Sequence, residues 1–265
     1  MSLKILVFCA SVTVLQAQTP TEKAWEILQR GVADKSPEKR TKAVHALGLL
    51  AHDEKARPMA EKALQDEKPE VRAAGAAALG QMGASASVGK LKEAIKDKEM
   101  EVVFAATNAL FLLHDPAAYE VYYAVLTGEK KSGEGLVESQ MKILKDPKAL
   151  AKLGFEQGIG YIPFAGVGYG VFKTVTRDDT SPVRAAAAHK LANDPDPKSG
   201  EVLAKSAADQ KWLVRAAVAD ALARRGDPAL LNALLPLLND SNDTVQYNAA
   251  AAVVQLSESD YGKNK

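Results

Sequence analysis

Between Asp66 and Gly83 the chain reads DEKPEVRAAGAAALGQMG, with apolar residues at Val71, Ala74, Ala78 and Leu79. Offsets of three, seven and eight residues place these side chains on one face of an α-helix. The face is thin, because most of it is Ala and Gly, and a thin face lets a neighbouring helix come close. Copies of this stretch begin at Asp34, Asp66, Asp97, Asp178, Asp209 and Asp240, at intervals of 32, 31, 81, 31 and 31 residues. Seven positions after the column held by Arg40, Arg72, Arg184 and Arg215 stand Leu47, Leu79, Leu110, Leu191, Leu222 and Val253. The position before them is Ala in five copies and Lys190 in the other. Each copy follows a second apolar run, such as Met59, Ala63 and Leu64 or Leu230, Leu231, Leu234 and Leu235, with Pro58, Pro116 and Pro228 near the start of three of these runs. Proline suits the first turn of a helix, where its missing N–H is not needed. The pattern predicts helix, turn, helix in each unit and an all-α fold, an α-solenoid of about six helix pairs.

The shared pattern D-x-x-P-x-V-R-x-A-A-x-A-L-G resembles the HEAT repeat, in the short HEAT-like form of phycobilisome lyases and related bacterial proteins. The resemblance covers most of residues 22–257. It implies stacked helix pairs and a family known mainly for protein-binding scaffolds, with a few enzymes among its members. It also implies a structural part for the Asp and Arg columns, which stacking would join in a ladder. Val103 and Gln246 interrupt the Arg column.

One interval exceeds the period by 50 residues. The first helix of the fourth unit precedes the extra material and its second follows, so the insertion splits the fourth repeat. This divides the chain into residues 18–127 and 178–258, both repeats, around an insertion at 128–177, with a tail at 259–265. The insertion contains QGIGYIPFAGVGYGVF, Gln157 to Phe172, which has no charge, five glycines and one proline. Three readings of it stand side by side: an apolar plug in the solenoid, a partner surface anchored by Tyr161, Phe164, Tyr169 and Phe172, or a peripheral contact with a membrane. Sixteen residues are too few for a helical span.

Residues 1–17 have a basic start at Lys4, an apolar core from Ile5 to Leu15 and a small residue at Ala17. These are the parts of a secretory signal cut near Ala17, which predicts a secreted or periplasmic protein. The only cysteine, Cys9, lies inside that segment, so the remainder needs neither a disulfide nor a reducing compartment. The whole chain carries a net charge of +1, of which Lys4 supplies one unit. A neutral chain lacks the basic excess that nucleic-acid binding requires.

No nucleophile with a base, no metal spacing and no cofactor motif stands out, and the reading is of a non-enzymatic protein without a cofactor. His52 and His114 close second helices. His45 and His189 share a column five residues after the Arg position with Asn108 and Asp220. One turn away on the same helices lie Phe104, Arg224 and Tyr247. In a solenoid the second helices line the inner curve, so these seven residues form a second candidate binding surface. The expected function is a scaffold that holds a protein or peptide. A membrane-associated protein using residues 157–172, or a HEAT-like lyase acting on a bound chromophore, is the alternative.

Overall fold

The computed structural model describes residues 18–127 and 180–263, and these are helical, without a strand among them. First helices are α1 (Pro20–Val32), α3 (Ala56–Ala63), α5 (Val88–Ala94), α7 (Ala117–Thr127), α9 (Pro197–Ser206) and α11 (Leu231–Leu234). Second helices are α2 (Pro37–Leu47), α4 (Pro69–Gln81), α6 (Met100–Leu112), α8 (Ser181–Ala192), α10 (Trp212–Arg225) and α12 (Asp243–Lys263). No helix among the described residues is long and apolar enough to cross a membrane. The candidate anchors Tyr161, Phe164, Tyr169 and Phe172 lie outside the described residues.

Local chemistry sets the helix ends. Thr19 caps α1 by accepting from the Glu22 N–H, while the Glu22 carboxylate accepts from the Thr19 N–H at 2.8 Å, and Pro20 opens the helix. At the other end of second helices the chain turns through a left-handed residue: His52, Gly83, His114 and Gly226, with φ of 57°, 72°, 57° and 65°. Glycine adopts this conformation freely, and a side chain there costs about 1 kcal/mol. His114→Gly is therefore expected to raise stability by up to about 1 kcal/mol, read as a higher urea midpoint at unchanged slope.

Packing follows the columns. Leu47, Leu79, Leu110 and Leu222 are fully buried, and Val253 with them. The thin face permits a close crossing of α4 on α6, where a Cβ at Gly80 would lie only 2.6 Å from Ala109 Cα. The Asp and Arg columns form a ladder between successive units. Arg40 grips Asp66 with two bonds of 2.8 Å, Arg72 grips Asp97 at 2.7 and 2.9 Å, and Arg215 grips Asp240 at 2.6 and 3.0 Å. Arg184 reaches Asp209 of the next unit through its Nη1. Each fork also ties back to its own unit, since the Arg72 Nη1 donates to the Asp66 carbonyl and the Arg215 Nη1 to that of Asp209. The Asp side chains do not reach into the second helix; each accepts from the N–H two residues on, as Asp66 does from Lys68, which fixes the turn before it.

The order of units in space differs from their order in the chain. Helix α12 packs against both α1 and α2, as any second helix packs against the unit that follows it. Thr21 Oγ1 lies 3.0 Å from Ser257 Oγ, the Lys23 ammonium 2.6 Å from Asn239 Oδ1, and the Ala51 N–H donates to Gln255 Oε1 at 3.1 Å. At the far end of α1, a Cβ on Gly31 would meet the Tyr247 ring at 2.6 Å. Pairing Thr21 with Ser257 and Gly31 with Tyr247 makes α1 antiparallel to α12. Second helices thus run α8, α10, α12, α2, α4, α6 through one stack. Helix α7 packs on α6, and α8 on α9 and α10, so the two helices flanking the insertion stand at opposite ends.

This order accounts for the interrupted Arg column. Val103 sits on α6, the last second helix of the stack among the described residues. Gln246 sits at the junction of the last repeat with the first, where it donates to the Leu238 carbonyl instead. There Lys39 and Asp243, 3.6 Å apart, bridge the two units.

Acid is expected to loosen the ladder. Burial alone would raise the carboxyls of Asp66, Asp97 and Asp240, but the bonds from Arg40, Arg72 and Arg215 and from backbone N–H groups outweigh it and hold them below 3.8. A carboxyl depressed in the folded state contributes stability that is present above its unfolded value and lost as the pH falls through the folded one. Urea midpoints should therefore drop steeply once the pH passes below 3.8, and less so in a variant with a rung removed.

Candidate binding face

The six residues of the column that begins with His45 follow one another along the stack as His189, Asp220, Ala251, His45, Ala77 and Asn108. Helix periodicity sends each toward the same side of its second helix. The two residue types that carry chemistry come together between α8 and α10. His189 Nδ1 lies 3.1 Å from Asp220 Oδ2, and Arg224, one turn further along α10, donates to both carboxylate oxygens at 2.9 and 3.2 Å. The Asp220 carboxylate is 1% exposed. Burial pushes its pKa up, but the His189 bond and the Arg224 charge more than offset this, and the net shift is downward. Asp220 is thus a fixed, ionised anchor that orients the imidazole and the guanidinium, while Arg224 keeps over a third of its side chain in water.

His45 stands apart, on α2. Crowding by the surrounding protein lowers its pKa to about 4, yet water reaches much of the residue. At pH 7 the imidazole is therefore neutral, able both to donate and to accept. Because the unfolded chain would protonate near 6.5 and the folded one lower, His45 imposes a growing cost on the folded state as the pH falls from about 6.5 toward 4; His45→Gln should flatten that part of the pH profile.

Phe104 and Asn108 are half-buried on α6. Tyr247 is not part of the open face: it is 5% exposed and packs on Gly31 of α1. The helix offset that placed it beside the column is one turn nearer the following unit, and here the following unit is the first repeat. Burial is the main cause that pushes its phenol up to about 12.

An aromatic cluster at the α6 end is a further feature, absent from the residues singled out by sequence. The Phe111 ring meets Tyr119 at 5.6 Å and Tyr122 at 5.9 Å, both edge-on, and Tyr119 meets Tyr123 at 6.4 Å. Phe111, Leu112, Tyr119 and Tyr123 are all exposed. A signal was present, for Phe111 occupies a column that elsewhere holds Gly48, Gly80, Ala192, Ala223 and Val254. Among the described residues no group of three or more His, Cys, Asp or Glu is placed to hold a metal.

No curated protein sequence matches the chain. Among solved structures it is similar to human deoxyhypusine hydroxylase in complex with glycerol, at 21% identity over 89% of this chain and 85% of that one, with a TM-score of 0.32. It is also similar to the complex of CpcE and CpcF of phycocyanin lyase from Nostoc sp., at 20% identity over 94% and 100% of the two chains, with a TM-score of 0.35. A designed armadillo repeat protein is 15% identical over 87% and 98%, with a TM-score of 0.28. The HEAT repeats pattern matches residues 12–121 and 171–254, most of the chain and both sides of the insertion. Given helix pairs stacked through their Leu and Ala columns and a match of that extent, the chain belongs to the HEAT repeat family.

Proposed function

We propose that this protein is a non-enzymatic scaffold that holds a segment of protein or peptide along its second helices, outside the cytoplasm, after loss of a leader cut near Ala17. The observation that carries the reading is the Asp220 carboxylate, buried between α8 and α10, which holds His189 and Arg224 in place on one side of the column. Such a face offers a row of pre-oriented donors and acceptors to an extended backbone at low entropic cost, because Asp220 already holds two of them in place. A neutral imidazole and an exposed guanidinium favour peptide carbonyls and a carboxylate in the bound segment.

The experiment is selection from a displayed peptide library against the chain from Gln18 onward, followed by titration with a selected peptide. Arg224→Ala and His45→Ala should each weaken binding by about tenfold, while Val183→Asp, on a different side of α8 from His189, leaves it unchanged. Selected peptides that bind both variants as tightly as the parent would remove this face from the proposal. Export is tested separately: the N-terminal residue of the protein recovered from its native host should lie at or near Gln18, and recovery of an intact Met1 would contradict a cleaved leader.

A further inference from the structure

Among the described residues, one repeat has its two helices apart and each without its usual neighbour. In the other units a first helix seats on its own second helix, as α3 does on α4 and α9 on α10. The seat is the position three residues after the Arg column: Ala43, Gly75, Ala106, Val218 and Ala249, all buried. Its tightness is visible at Gly75, where a Cβ would lie 2.9 Å from the Ala60 carbonyl oxygen and 3.1 Å from Ala63 Cβ. On α8 the matching residue, Ala187, is exposed, and so are Ala186 and Val183 beside it, Val183 at 70%. A cavity of about 160 Å³ opens next to Ala187, lined by Leu191, Val202, Leu203 and Val214.

The complementary defect is on α7. Eight residues after the left-handed turn residue, the first helices bury Ala60, Leu91 and Leu234 completely. The same step from His114 leads to Tyr122, which is only half-buried, next to exposed Tyr119. By sequence, α7 and α8 are the two halves of one repeat. In space they stand at opposite ends of the stack, so among the described residues one end has a seat without a helix and the other a helix without a seat. Charge agrees with the fit: Glu120 is the one charged residue of α7, and Lys190 is exposed on α8.

We propose that α7 of one molecule docks on α8 of a second copy, so that the fourth repeat is completed between chains. The contact joins two different surfaces, so it propagates from chain to chain until it closes into a ring or continues as a filament.

The test is sedimentation of the chain from Gln18 onward over a wide concentration range, with two variants. The parent should exceed the monomer mass increasingly as concentration rises. Ala187→Arg fills the seat and Tyr122→Lys places a cation on the docking side of α7, toward Lys190 of the second copy, and each alone should be monomeric. Mixed in equal amounts, they should form a dimer and nothing larger, because one retains the helix and the other the seat. Should Tyr122→Lys fail to fold, judged by circular dichroism, Glu120→Lys on the exposed side of α7 takes its place in the mixture. A parent that stays monomeric at every concentration, or a mixture of folded variants that stays monomeric, overturns the proposal; the monomeric parent would assign the seat to another protein or to the chain itself.

Discussion

Leu79→Ala and Leu222→Ala are each expected to cost about 2 to 4 kcal/mol. Both leucines are fully buried, on α4 and α10, and their columns are continued by Leu47, Leu110 and Val253. Removing three carbons from such a site forfeits their transfer from water and leaves a cavity, because a close-packed surrounding relaxes only partly into the gap. A repeat array divides its stability among units and the interfaces between them. The loss should therefore appear as a lower urea midpoint together with a broader transition, as the damaged unit begins to uncouple from the rest. Parent-like midpoints in both variants would contradict the placement of the Leu column in the core.

Arg72→Leu is expected to cost about as much, on the order of 2 to 4 kcal/mol, through a different mechanism. Its guanidinium holds Asp97 of the next unit with two bonds and the Asp66 and Glu67 carbonyls of its own unit with a third group. Both side chains are largely shielded from water, at 10% and 15% exposure. Removing the cation leaves the Asp97 carboxylate beside apolar helices with only the Glu99 N–H to satisfy it, and the residual exposure keeps the cost below that of a fully buried charge. Asp97→Asn removes the orphaned charge but keeps the acceptor for that N–H. The double variant should recover part of the loss, and a cycle of the four proteins should give a coupling of about 1 to 3 kcal/mol. A coupling near zero would reduce the ladder to surface ion pairs.

The columns that could be read from the chain were those in which one physical demand acts on every unit. Leu79 and its equivalents must fill the same space, Gly80 must let α6 approach, and Asp66 and Arg72 must meet their counterparts across each interface; repetition made those demands visible. Departures from the columns carried equally firm information, but only about space. Val103 and Gln246 looked like losses from the ladder, whereas they mark the end of the stack and its internal junction. Nothing in a linear alignment says that Tyr247 meets Gly31, because the two are separated by most of the chain and belong to different columns. The link between His189, Asp220 and Arg224 was half legible: the shared column put His189 and Asp220 in line, but the depth of Asp220 depends on how closely α8 and α10 approach. The aromatic cluster of Phe111, Tyr119 and Tyr122 was overlooked for a related reason, since it spans the end of one repeat and the start of the next.

The claim on which the rest depends is that the last repeat stacks directly on the first, which fixes both the continuous face and the two open ends. Thr21→Cys combined with Ser257→Cys tests it in the chain from Gln18 onward, which contains no other cysteine. The two hydroxyl oxygens lie 3.0 Å apart although 236 positions separate them in sequence, and a disulfide bond of about 2 Å can replace them with little movement. Under mild oxidation the account predicts an intramolecular bond, seen as faster migration without reductant and the absence of titratable thiols in the folded monomer. Thiols that remain free in the folded monomer would place α1 and α12 apart and contradict it.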